Sequence, residues 1–161
     1  MKLSTKAILA FRSLGRDIDE QWVDWAVSMM LQNYDTPHLN ILAGISPPFY
    51  QTELMFIVDK ALKELGLDWS DKGKVVKEYI VELLEKLLSG ELSKKFALGE
   101  IKDIYVEEDY KDDLHDFYLL YYALDDLETS EVQWYWNGAD RKNIDKIITT
   151  VSISWIQKYS G

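Results

Sequence analysis

The chain has 161 residues, with 28 acids against 18 lysines and arginines, a formal net charge of -10 and no cysteine. Its length suits a single domain over residues 1–161 that buries roughly 70% of its unfolded surface in one core, and an apolar share of 47% with 13% aromatics is far from a disordered composition. The acid excess excludes phosphate-binding partners such as duplex DNA, RNA and anionic membrane surfaces, which need clustered Lys and Arg, and the missing thiols exclude disulfides and thiolate chemistry.

The elements read in chain order are helical. The stretch MKLSTKAILAFRSLG predicts a first helix and not a signal peptide, because Arg12 interrupts its apolar run and Arg16 and Asp17 follow without a cleavage pattern. No run approaches the roughly 18 apolar residues of a membrane span, so the expectation is a soluble, cytoplasmic protein. Ile18, Trp22, Trp25 and Met29 recur at helical steps, with Asp17 and Glu20 resembling a capping box. Thr36 and Pro37 are placed as N-cap and first residue of a short helix to Ala43, closed by Gly44.

Leu54, Ile57, Val58, Ala61, Leu62 and Leu65 predict a longer helix ended by Gly66 in a left-handed cap. The next begins after Ser70 or Asp71, buries Val76, Tyr79, Ile80, Leu83, Leu84, Leu87 and Leu88, pairs Glu82 with Lys86 and ends at Gly90. From Glu91 to Lys111 the pattern weakens to one or two short helices around Gly99 and an acidic loop. A helix from about Asp112 to Leu127 is carried by Leu114, Phe117, Tyr118, Tyr121 and Leu124, and the acids of its first turn lie at the positive end of the helix dipole.

The last element follows Asn137-Gly138 with Asp140 as cap. Ile144, Ile148, Val151 and Trp155 fit a helix, whereas Val151, Ile153 and Trp155 alternate with serines as a strand would. The helix is preferred, since only the Val132 to Trp136 run offers a strand partner. The fold class is therefore all-α, an irregular bundle of about six or seven helices, with an α+β variant carrying a C-terminal hairpin as the alternative.

The run WVDWAVSMMLQNYDTPHLNILAGISPPFYQTELMFIVDKALKELGL resembles the N-terminal half of a set of small uncharacterised bacterial proteins. The similarity rests on Trp25-Ala26, Asp35, Leu39, Ile41 to Gly44, Pro48, Ala61-Leu62 and Glu64 to Gly66, with Leu88 to Gly90 and the later acidic helix also alike. These are mostly core and cap positions. The resemblance implies a bacterial, all-helical protein and carries over no catalytic or binding residue.

Function points to one region. Between Glu100 and Glu131 stand twelve acids against two lysines, so this stretch holds the whole net charge. Tyr105, Tyr110, Phe117, Tyr118, Tyr121 and Tyr122 fall within it, and Trp134, Tyr135 and Trp136 follow. Acid beside amphipathic rings suits a cationic partner, because charge steers the encounter and rings supply contact area at little rotamer cost. The partner-binding candidates are Glu107, Glu108, Asp109, Asp112, Asp113, Asp116, Tyr118, Trp134 and Trp136. Three consecutive large rings cannot all face one core, so at least one is expected outside it.

Asp112, His115 and Asp116 are the sole catalytic candidates: a helix sets Asp112 beside His115, and flanking carboxylates stabilise an imidazolium. The plainer reading of the same residues is a solvated acidic helix start. The acids from Glu107 to Asp116 lack the central glycine and spacing of an EF-hand, so no metal and no cofactor is expected. His38, three residues after Asp35, reads as structural, and Trp22 and Trp25 as core. There is no phosphate-binding Gly-rich loop, G-x-S-x-G, H-E-x-x-H or dinucleotide fingerprint.

The expectation is thus a non-enzymatic domain docking a basic protein, of which an immunity-like inhibitor of a cationic toxin is one form. The competing readings are a small metal-dependent or acid/base hydrolase using Asp112, His115 and Asp116, and an oligomerising structural module.

Overall fold

The computed structural model describes residues 2–159. Among them lie eight α-helices: α1 (Thr5–Leu14), α2 (Glu20–Leu31), α3 (Pro37–Ala43), α4 (Gln51–Glu64), α5 (Lys72–Ser89), α6 (Lys94–Glu107), α7 (His115–Thr129) and α8 (Ile144–Tyr159), with a 3-10 turn at Asp112–Leu114. The all-α expectation holds, with a helix or two more than the sequence count and no strand among the described residues. Met1 of the expected first helix lies outside the described residues. The chain forms two compact units, residues 1–79 and 80–161, divided within α5.

In the first unit several helix ends follow from a specific residue. Ser4 caps α1 by accepting from the Ala7 N–H at 3.1 Å, and Gly15 closes it at φ 74°, where a side chain is disfavoured. Helix α2 is capped by Asp19, which accepts from the Gln21 N–H, so Asp17 is not the capping residue the sequence suggested. The predicted stripe is fully realised: Ile18, Trp22, Trp25 and Met29 are all buried. Phe11 packs edge-on to Tyr79 at 5.4 Å and against Trp22 at 6.5 Å, while the Trp25 indole N–H donates to the Thr5 hydroxyl. Each buried ring or large aliphatic here contributes roughly 1.5–3 kcal/mol of transfer free energy.

Helix α3 has Thr36 at the N-cap position, but the threonine hydroxyl makes no capping bond. The Glu64 carboxylate does that work: it accepts from the His38 N–H at 3.0 Å and meets His38 Nδ1 at 2.7 Å. His38 is structural, as expected. Arg12 holds Asp59 through two bonds of 2.6 and 3.0 Å, and this paired carboxylate, ahead of all other influences, raises the guanidinium pKa.

In the second unit the chain between Leu92 and Glu107 forms one helix, not two short ones. Gly99 interrupts the pattern without breaking the helix, because a Cβ there would sit 3.3 Å from the Tyr121 ring: the glycine admits α7 to close packing against α6. Leu88 emerges 37% exposed, outside the stripe assigned to it, while Glu82 and Lys86 pair at 3.0 Å as predicted. The helix expected from Asp112 begins as the 3-10 turn and becomes α-helical at His115.

For the C-terminal element the burial phase decides between helix and strand. Ile144, Ile148, Ser152 and Trp155 are buried at helical steps, while Ile153, which a strand would bury with Val151 and Trp155, is 42% exposed. Asp140 caps the preceding turn, accepting from the Lys142 and Asn143 N–H groups.

Candidate functional site

The second unit contains an open cleft of about 460 Å³ whose lining comes from three segments. One wall is acidic: Asp112 and Asp113 from the 3-10 turn and Asp116 from the first turn of α7. The opposite wall is one face of α8, where Thr150, Ser154 and Lys158 form one row at four-residue steps and Val151, Trp155 and Tyr159 a second. Trp136 completes the lining from the α7–α8 connection.

Two devices hold these walls in place. The Trp155 indole N–H donates to the Asp113 carbonyl at 3.1 Å, tying α8 to the acidic turn, and its ring meets Phe117 at 6.1 Å and Tyr159 at 4.3 Å. Gln133, buried at 9% exposure, organises the connection: its carbonyl accepts from the Tyr135 and Trp136 N–H groups at 2.8 Å, and its amide donates to the Trp136 and Ala139 carbonyls. Both donors and the acceptor of that amide are thereby satisfied, which is what makes a buried glutamine tolerable.

The consequence is that the three consecutive rings go to three places. Trp134 is 89% exposed, Tyr135 packs on Tyr122 at 5.4 Å, and Trp136 lines the cleft. The expectation of at least one ring outside the core is met by Trp134.

The acids of the region separate into two groups. Lys95 binds Asp125 at 3.0 Å and also Glu128, and these hydrogen bonds, Glu128 first, raise its pKa above the ordinary lysine value. Lys102 pairs with Asp103, which raises the lysine pKa likewise, and Lys111 pairs with Glu108. Glu108 is only 8% exposed at its side chain and so is not the free docking carboxylate that the sequence suggested. By contrast no described lysine or arginine forms an ion pair with Asp112, Asp113 or Asp116, and all three are exposed. Glu107 and Asp109 are exposed at the end of α6 and in the turn beyond it, outside the cleft lining.

Asp112 and Asp116 line the cleft, whereas His115 is absent from its lining and has Nδ1 2.7 Å from the Tyr105 hydroxyl. His115 also stacks on Tyr118 with the rings 15° from parallel. It belongs to a ladder of rings, Tyr110 on Tyr105, Tyr105 on Tyr118, Tyr118 on Tyr122, with centroid spacings of 5.2, 5.0 and 5.0 Å. The turn that returns Tyr110 to Tyr105 places Asp109 and Tyr110 at φ 57° and 63°, a left-handed pair that non-glycine residues adopt at a cost. Burial first, then the charge of Asp112, raises the Tyr105 phenol pKa, so Tyr105 remains protonated through the neutral range.

Sequence reasoning named the acidic wall and Trp136 but missed the α8 wall. Its signal lies in the two four-residue rows from Thr150 to Tyr159, of which core periodicity uses only Val151 and Trp155. Among the described residues no group of three or more acids and histidines is gathered as metal ligands are, and no helix is long and apolar enough to cross a membrane. No protein-family model, no curated protein and no solved structure matches the chain.

Proposed function

We propose that the chain is a protein-binding domain that docks a basic partner through the acidic, aromatic side of its second unit. Asp112, Asp113, Asp116, Trp134 and Trp136 form the centre of this surface, with Glu107, Asp109 and Tyr118 at its margin. The observation that carries the reading is the set of three carboxylates without cationic partners on one wall of a cleft whose other surfaces include two indoles and a phenol. Burying an unpaired charge is costly, so carboxylates left exposed beside rings favour a ligand that brings positive charge to them. An inhibitor that sets carboxylates where a cationic nuclease takes phosphates is one form of this function. The hydrolase reading draws no support from the cleft, whose lining includes Asp112 and Asp116 but not His115.

The test is affinity capture from extracts of the native cell with the full chain and with an Asp112→Asn, Asp113→Asn, Asp116→Asn triple variant. The expected partner is basic, is released as salt rises because the Debye length shrinks from about 10 Å at 0.1 M, and is missing from the variant. A partner retained equally by the variant or indifferent to salt refutes the electrostatic docking.

A further inference from the structure

We infer that the cleft is an anchor site for a single arginine side chain of the partner protein, an inference that rests on the docking function proposed above. Its dimensions and chemistry both bear on this. A volume of about 460 Å³ lies toward the small end of the range that accepts compact ligands. One wall offers carboxylate oxygens at successive positions of a turn, Asp112 and Asp113, and a third a turn later at Asp116. The rest of the lining offers the indole of Trp136 and the phenol of Tyr159, the latter packed on Trp155.

A guanidinium meets both demands at once. Its planar fork donates in parallel to carboxylates, its faces stack on aromatic rings, and its weak hydration makes leaving water less costly than for an ammonium. A lysine would satisfy the carboxylates but, as a compact and strongly hydrated point charge, would use the rings poorly. One ring of the lining already meets a cation: the Lys158 ammonium lies over the Tyr159 ring, 5.1 Å from its centroid. That lysine leaves the lining with three acids against one base, and the remaining negative charge is what an incoming cation would meet.

A protein is favoured over a free small molecule by Trp134. This ring, two residues from Trp136 in sequence and 89% exposed, leaves a large apolar face uncovered, and tryptophan is among the residue types that anchor protein interfaces. The Gln133 turn fixes the backbone at Trp136 before any partner arrives, which lowers the ordering cost of association.

The experiment titrates the full chain with a blocked pentapeptide of glycines around one arginine, and with its lysine and citrulline counterparts, and follows the tryptophan indole N–H resonances by NMR. The arginine peptide is expected to shift the Trp136 and Trp155 signals, assigned through Trp136→Phe and Trp155→Phe, at least several-fold more tightly than the lysine peptide, with citrulline inert. Asp116→Asn and Trp136→Ala should each weaken arginine binding about fivefold or more, with the remaining spectrum preserved as evidence of folding. Equal response to arginine and lysine, shifts confined to resonances outside the cleft, or no shift at all overturns the anchor. If the anchor fails while salt-sensitive capture of a basic partner persists and depends on the three aspartates, docking stands without it; loss of both removes the docking function too.

Discussion

The two ends of α7 carry the same kind of charge under opposite conditions. At its start Asp112, Asp113 and Asp116 stand without cationic partners, and the helix itself supports them, because unsatisfied N–H groups give this end a partial positive charge. At its finish Asp125 and Glu128 face the negative end of the same dipole and are held by Lys95 reaching across from α6. Asp125 and Glu128 at the wrong helix end therefore have a counter-ion, whereas the three acids at the right end have none and keep their carboxylates open to solvent. Net charge alone hides this distinction: the acid-rich stretch of the chain is one block in sequence but serves structure at one end of the helix and remains available at the other.

The largest effect is expected from removing the tie between the acidic turn and α8. Trp155→Ala deletes a buried ring that touches Phe117 and Tyr159 and the N–H donor to Asp113. A loss of about 3–5 kcal/mol is expected from the cavity, read by denaturant titration. Trp155→Phe retains most of the packing and loses the donor, so its expected cost is about 1–2 kcal/mol. Equal costs for the two would show that the indole N–H bond fixes nothing and that the acidic wall holds its place by other means.

A smaller effect separates the two helix ends directly. Lys95→Met leaves Asp125 and Glu128 unpaired at the negative end of the dipole and should lower the thermal midpoint, more at low salt than at high. Asp116→Asn removes a charge that the dipole favours and should cost only a few tenths to about 1 kcal/mol. The pairs at Lys95 are well exposed, with side chains 40–45% accessible, so the salt dependence is the more telling readout. A Lys95 variant as stable as the parent at every ionic strength would erase the contrast between the ends.

How much of this was legible beforehand follows from which forces act locally. Helix periodicity is local, so the stripes of α2 and α4 and the helical reading of α8 could be taken from spacing. Capping by a distant residue is not local: nothing near Thr36 announces that Glu64, 26 positions past His38, will serve in its place. Gly99 misled for the same reason, since its packing partner Tyr121 comes from another helix. At the site, the acids and Trp136 were visible as composition, but the pairing of Glu108 with Lys111 and of His115 with the Tyr105 hydroxyl depends on how the chain turns after α6. The buried glutamine that orders the aromatic turn carried no signal in its own type, being a polar residue among rings.

The smallest expected effect tests the favoured-end rule in the first unit. Glu64 meets the start of α3 from outside, accepting the His38 N–H and pairing with its ring, and these two hydrogen bonds, the backbone one first, lower the carboxyl pKa below the ordinary glutamate value. A group with a depressed folded-state pKa binds its proton more readily when unfolded, so its stabilisation is present above the unfolded value of about 4.3 and disappears as pH falls through the lower folded value. Glu64→Gln should thus lower the midpoint of thermal unfolding at neutral pH, and the difference from the parent should close in the acid range below that folded value. Both partners are partly exposed, with side chains 29% and 27% accessible, which keeps the gap modest. A gap that is constant from neutral to acid pH would mean that Glu64 acts by shape and neutral hydrogen bonding, and the argument that helix starts favour carboxylates, at α7 as at α3, would lose its charge component.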